Sequence, residues 1–196
     1  MSQYSLFDQG SRVLLDDASG RIEYHGDVVP ASLAEQWFLW LQANIDWQEG
    51  LRLMYEREVA VPRLRAHFAV ADTRLPVTLH DALLAVTRVV DAPFNSIGLN
   101  LYRDQHDSVA PHNDTLDDLQ QGQPIALLSL GATRRMTIRA KQPPRRVLQL
   151  DLVAGSLLLM SWETQLHYDH AIPKQRTPAG PRISLAFRVR GDPGRS

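Results

Sequence analysis

The sequence predicts an α+β fold in which helices pack on one side of a β-sandwich. Three observations carry that prediction. Two segments before residue 94 place apolar side chains at helical spacing. From residue 94 onward the chain breaks into short β-rich runs. Gly, Pro, Asp or Asn separates those runs, as in a sandwich or barrel, and helices followed by strands mark an α+β order.

The first helix is predicted in "PASLAEQWFLWLQANIDW", where Leu33, Trp37, Leu41 and Ile45 recur at four-residue spacing. Ser32 and Glu35 are placed as a capping box at its start, and Trp37 and Trp40 are read as core or helix-packing residues. The second helix is predicted in "TLHDALLAVTRVV", with Leu79, Leu83, Val86 and Val90 on one face and Thr78 as its cap. The predicted strands are "FNSIGLNLY", "IALLSLG", "RMTIRAK", "RVLQLDL", "GSLLLMS" and "RISLAFRVR". In "RMTIRAK", Met136, Ile138 and Ala140 share one face and Arg135, Thr137, Arg139 and Lys141 the other.

The 196 residues read as one domain, with 44% hydrophobic and 22% charged residues, and no internal repeat is visible. The absence of cysteine excludes disulfides, thiolate metal sites and thiol nucleophiles. No N-terminal apolar segment and no run approaching ~18 apolar residues is present, so the expectation is a soluble, cytoplasmic protein without a membrane anchor. Net charge is -1 but uneven: residues 1–93 carry 8 Lys/Arg against 13 Asp/Glu, and residues 94–196 carry 13 against 9. "RRMTIRAKQPPRR", residues 134–146, holds six basic residues and no acid. It reads either as a solvated polar face or as a hairpin that contacts phosphates.

The chemistry begins with "VAPHNDTLDD", which sets His112 and Asp114 one residue apart in an expected loop. Alone the pair means little, since about half of one H-x-D is expected by chance at this composition. His25 and Asp27 form another, read as an exposed turn. The further ligand would be His170 in "WETQLHYDHAIPK", after the strand "GSLLLMS". Two imidazoles and one carboxylate suit a non-haem Fe(II) oxygenase or a zinc hydrolase. The last strand favours the oxygenase. In "RISLAFRVR", Arg182, Ser184, Ala186 and Arg188 share one face, against Ile183, Leu185, Phe187 and Val189. Paired guanidinium groups among small residues make an anion pocket suited to a dicarboxylic co-substrate. Asn100 and Tyr102 alternate on one face of their own strand and are expected beside the same ligand.

The order N-x-Y, H-x-D, "SLGATR", G-x-L, T-Q-x-x-Y-x-H and R-x-x-x-x-x-R resembles the AlkB family of 2-oxoglutarate- and Fe(II)-dependent dioxygenases. With "VPRLRAHF", which is similar to that family's entry to its nucleotide-recognition region, the resemblance covers roughly residues 61–190. It implies a double-stranded β-helix (jelly roll) with N-terminal helices packed on one side. Residues 1–60 would form an N-terminal extension and helix, and residues 94–190 the catalytic core. It implies that His112, Asp114 and His170 bind Fe(II), with 2-oxoglutarate and O2 as co-substrates. Arg182 would grip the far carboxylate of 2-oxoglutarate, with Arg188, Asn100, Tyr102 and Ser184 completing the pocket. Oxidative demethylation of 1-methyladenine or 3-methylcytosine in DNA or RNA would release formaldehyde, succinate and CO2. The implied partner is alkylated single-stranded DNA or RNA, and the implied state is a monomer. Arg63, Phe68, Asp117, Asp118 and Arg139 are the expected substrate contacts.

The chain departs from the family pattern at three places. Thr115 and Leu116 stand where repair members carry acidic residues, with Asp117 and Asp118 slightly later. The segment "HFAVADTRLPVTLH" has Phe68 but no tyrosine to stack a flipped base. Gln105 occupies a turn position usually held by Gly. The first two departures motivate an alternative: a dioxygenase of the same fold acting on a protein or small-molecule substrate. A non-catalytic nucleic-acid module would predict a damaged triad or arginine pair, and neither is damaged.

Overall fold

The computed structural model describes residues 10–54 and 57–191, with side chains described outside 51–60. In chain order the elements are β1 (Arg12–Asp17), β2 (Gly20–His25), α1 (Ala31–Asn44), β3 (Gln48–Met54), β4 (Arg57–Ala69) and α2 (Val77–Thr87). The remainder comprises β5 (Ser96–Tyr102), β6 (Val109–His112), β7 (Ile125–Gly131), β8 (Arg134–Ala140), β9 (Val147–Leu152), β10 (Leu157–Met160), α3 (Thr164–His167), β11 (Tyr168–Ile172) and β12 (Arg182–Arg188). Eight strands form one antiparallel sheet in the order β1-β2-β10-β7-β12-β5-β4-β3, and four form a second in the order β6-β11-β8-β9.

The two sheets face one another as a jelly roll. Tyr24, Leu127, Met136, Ile138, Leu158 and Tyr168 belong to the core between them. The outer face of the large sheet carries Ile97, Leu99, Leu128, Ile183 and Phe187 and packs against Leu41, Leu79 and Val86 of the two helices. Because its central strands are covered on both faces, β7 is buried over six successive residues and reads as a continuous apolar run. No helix among the described residues is long and apolar enough to cross a membrane.

Several expectations need correction. Both helices begin directly after a proline, and neither has a side-chain cap. The carbonyl of Pro30 accepts from the amides of Leu33 and Ala34, and that of Pro76 from Leu79 and His80. Proline's fixed φ suits the residue that enters a helix, so Ser32, Glu35 and Thr78 fall inside the helices rather than at their caps. The buried stripe of α1 is Ala34, Trp37 and Leu41, which turns Leu33 and Trp40 outward; Trp40 is 40% exposed. Strands do not wait for residue 94. The segment expected as an extension and helix supplies β1, β2 and β3, and β4 follows before α2, so half of the large sheet precedes α2. His25 is the last residue of β2 rather than part of an exposed turn, although Asp27 is exposed.

Candidate active site

The sheets bring the site together at one open end. On the small sheet, β11 pairs with β6 so that His170 lies directly opposite His112, and their rings sit 4.4 Å apart. His112 therefore ends a strand, and Asp114 follows two residues later. Ligand atoms of His112, Asp114 and His170 all lie within 4.8 Å of one another.

Each member is held in a ligating form. The Nδ1 of His112 lies 2.9 Å from the Ala110 carbonyl. A carbonyl only accepts, so Nδ1 is the donor in this contact and Nε2 is the nitrogen left for a metal. Burial, reinforced by His112, pushes the imidazole of His170 down to about 4, so it is neutral at physiological pH. Burial alone would raise the Asp114 carboxyl, but Arg188 outweighs it and holds the group below the usual carboxylate range. Arg188 donates from Nε to Oδ2 at 2.7 Å and from Nη2 to Oδ1 at 3.0 Å. Two imidazoles and a carboxylate are the donor set of a facial Fe(II) site, and the residues fit that metal.

Behind the triad lies a narrow pocket lined by Asn100, Tyr102, Met136, Arg182, Ser184 and Arg188 among others. The register accounts for this grouping. Arg182 pairs with Tyr102 and Ser184 with Asn100, so all four side chains face between the sheets. Arg182 is 1% exposed, and its Nη2 donates to Ser129 Oγ at 2.9 Å. Its Nε and Nη1 have no partner among the described residues. Burial, with Tyr102 opposing it, pulls this guanidinium down to about 10. A buried cation with two idle donors fits a carboxylate-bearing ligand.

Sequence reasoning missed the residues that hold this arrangement. Gln165, 1% exposed, accepts the Asp114 amide on Oε1 at 3.0 Å and donates to Thr164 Oγ1 at 3.1 Å. The Lys141 ammonium donates to Asn113 Oδ1 at 2.9 Å and to the Gln165 carbonyl at 2.8 Å. Together they clamp the two residues that follow His112. The T-Q of the T-Q-x-x-Y-x-H motif was the available signal. Gly98 is another: a Cβ there would lie 3.0 Å from Arg188 Nη1, so glycine leaves the path along which Arg188 reaches Asp114.

The basic run at 134–146 is not a free hairpin. Arg134 is fully buried and donates to the carbonyls of Asp104, Asp107 and Pro173 at 2.8–2.9 Å. Arg135 grips Asp151, Arg146 pairs with Asp17, and Lys141 is occupied as described. Arg139 lies on the outer face of β8, opposite in direction to Ile138 and the triad. Gln105, at the turn where glycine was usual, instead ties two loops. Its carbonyl accepts from the Gln175 amide at 3.0 Å, and its Oε1 from the Ala179 amide at 3.4 Å.

Above the triad opens a cleft of about 450 Å³. One wall is the site-facing side of β4 with Arg63, Arg65 and His67, and Arg190 and Asp118 also line it. Arg63 bridges cleft and inner pocket, its Nε donating to Asn100 Oδ1 at 2.8 Å. Phe68 has the opposite parity and packs on the helix-side core, away from the cleft. Asp118 lines the cleft but pairs with Arg190 at 3.6 Å, and the exposed Asp117 is not among its lining residues.

Residues 41–188 match the model of the 2OG-Fe(II) oxygenase superfamily. The chain is 37% identical over 110 residues to the DNA oxidative demethylase ALKBH2 of Bos taurus, a match covering 53% of this chain and 40% of that protein. The corresponding human protein is 37% identical over 110 residues, covering 53% and 42%. The alpha-ketoglutarate-dependent dioxygenase alkB homolog 3 of Bos taurus is 32% identical over 175 residues, covering 80% and 61%. The matches thus span between two-fifths and three-fifths of these relatives' lengths.

Proposed function

Because the chain belongs to the 2OG-Fe(II) oxygenase superfamily and, within it, to the AlkB family, we propose that it oxidatively demethylates alkylated bases in nucleic acid. In this reading His112, Asp114 and His170 hold Fe(II), and 2-oxoglutarate enters the inner pocket. When bound, these groups supply the oxidising chemistry: O2 is consumed, 2-oxoglutarate becomes succinate and CO2, and the hydroxylated N-methyl group leaves as formaldehyde.

The observation that carries the reading is the Arg182 guanidinium buried beside the triad with Nε and Nη1 unpaired among the described residues. Its two idle donors would take the far carboxylate of 2-oxoglutarate. Ser184 and Asn100 supply polar contacts along the pocket, and Tyr102 lies between two guanidinium groups, 5.4 Å from Arg182 and 5.6 Å from Arg134. Arg188 keeps Asp114 ionised and aimed at the metal position. No step in this assignment requires a protein side chain to move a proton.

Nucleic acid is favoured over a protein or small-molecule substrate by the cleft, which is open and carries Arg63, Arg65 and Arg190 on its walls. In this reading Arg63 and Asp118 stand at the substrate. The leading substrates are 1-methyladenine and 3-methylcytosine in single strands, for which the target base needs no unpairing. One chain carries every residue invoked, which supports action as a monomer. Mass spectrometry of a single-stranded oligonucleotide bearing one 1-methyladenine tests the proposal. Loss of one methyl group, dependent on both Fe(II) and 2-oxoglutarate, is expected; an unchanged oligonucleotide under turnover conditions would refute it.

A further inference from the structure

The cleft has charge suited to nucleic acid, yet it lacks the expected rings. Its lining among the described residues includes no Phe, Tyr or Trp. His112 is committed to the triad, and the ring of His67 is tied through Nε2 to Ser96 Oγ at 2.9 Å. A base lifted out of a strand needs a flat partner, and a guanidinium plane serves as well as an aromatic ring. Resting on the nucleic-acid reading above, we propose that Arg65 is the stacking platform for the target base.

Four observations converge on this residue. Arg65 pairs with Asn100 across β4 and β5, so it shares the site-facing side of the sheet with the inner pocket. It lines the cleft together with His112 and Asp114, and it is exposed. The neighbouring arginines are engaged: Arg103 with Asp107, Arg188 with Asp114 and Arg190 with Asp118. Arg65 has no such carboxylate partner among the described residues.

The fourth observation explains how an uncommitted arginine is held. Gly50 on β3 lies against the guanidinium. A Cβ built at Gly50 would sit 2.5 Å from Nη2, 2.9 Å from Cζ and 3.0 Å from Nε of Arg65. The backbone of Gly50 is not in the left-handed region, so glycine gives room here rather than conformational freedom. With one flank seated on bare backbone, the guanidinium presents its other flank to the cleft. A seated plane loses less freedom on binding than a loose side chain, which is what a stacking surface requires.

The test separates a plane from a charge. Affinity of metal-free protein for a single-stranded DNA oligonucleotide carrying 3-methylcytosine is measured by fluorescence anisotropy, against the same strand with cytosine. Demethylation is measured in parallel with Fe(II) and 2-oxoglutarate. Arg65→Ala is expected to weaken binding of the methylated strand about tenfold, within the range that base stacking supplies. Arg65→Phe, which keeps a plane and loses the charge, is expected to retain binding within about threefold of the parent. Arg65→Lys, which keeps the charge and loses the plane, is expected to behave like Arg65→Ala. Gly50→Ala, by displacing the guanidinium, should follow the same loss. Retention by Arg65→Lys, or loss in Arg65→Phe at unchanged thermal stability, overturns the platform and leaves a phosphate contact. Failure of the parent protein to distinguish the two strands or to demethylate the methylated one would instead refute the nucleic-acid reading on which the proposal rests.

Discussion

Arg182→Met separates what the fold needs from what the co-substrate needs. Arg182 is buried with two of its three nitrogens unpaired among the described residues, and burial pulls its pKa from arginine's ordinary range down to about 10. A folded value below the unfolded one means that the folded chain resists this proton. The penalty is therefore complete below about pH 10 and fades only as pH rises toward the unfolded value. At neutral pH a shift of that size corresponds to about 3 kcal/mol of destabilisation. Methionine removes the charge, fills much of the volume and forfeits one neutral hydrogen bond to Ser129, worth about 1 kcal/mol. The net expectation is a ligand-free variant more stable than the parent by about 1–3 kcal/mol, read as a higher urea midpoint at pH 7. In a chain of 196 residues that is a melting temperature higher by about 2–10 °C. The same variant should lose the stabilisation that 2-oxoglutarate gives the parent, because the buried counter-charge is gone. A loss of stability greater than about 1 kcal/mol would mean instead that the guanidinium is satisfied without a ligand.

Three further outcomes are expected. Gln165→Leu leaves the part-buried Asp114 amide without its acceptor, costing about 1–2 kcal/mol in urea unfolding and about tenfold or more in Mn(II) affinity by calorimetry. Gly98→Val places side-chain carbon where Arg188 passes, so Mn(II) affinity should fall severalfold while Arg188→Lys in the same background adds little further loss. For Asp107, burial opposes ionisation but the Arg103 hydrogen bonds prevail, and its carboxyl lies below the usual range. A depressed folded value means stability present above the unfolded pKa and lost as pH falls through the folded one. The urea midpoint of the parent should therefore drop on acidification below about pH 4, and Asp107→Asn should reduce that drop while lowering stability at pH 7 by about 1–3 kcal/mol.

The parts of the site that were legible in the sequence are those set by strand parity. Arg182, Ser184, Ala186 and Arg188 alternate with large apolar residues, and the sheet turns the first set to the pocket and the second to the helices. The same rule applied one residue earlier in β8 would have marked Arg134 as inward, because it shares parity with Met136 and Ile138. The basic residues around it masked that signal. In β4 the parity rule puts Arg63, Arg65 and His67 at the cleft and Phe68 in the core. Pro62 is tolerated inside β4 because that strand lies next to the edge strand β3, where the register shifts. The helix starts were misread because Ser32 and Thr78 have cap chemistry, whereas the adjacent prolines already fix the entry. The motif marked Gln165 as a position but not its role: its partner lies 51 residues away, and local periodicity carries no information about that pairing.

The most direct test of the central claim is the simultaneous quantification of succinate and formaldehyde from Fe(II)-loaded protein given 2-oxoglutarate and a methylated oligonucleotide. Equal amounts of both products are expected, formed rapidly only when the methylated base is present. Succinate formed at the same rate without the methylated strand, or with no formaldehyde beside it, would rule out demethylation as the coupled reaction.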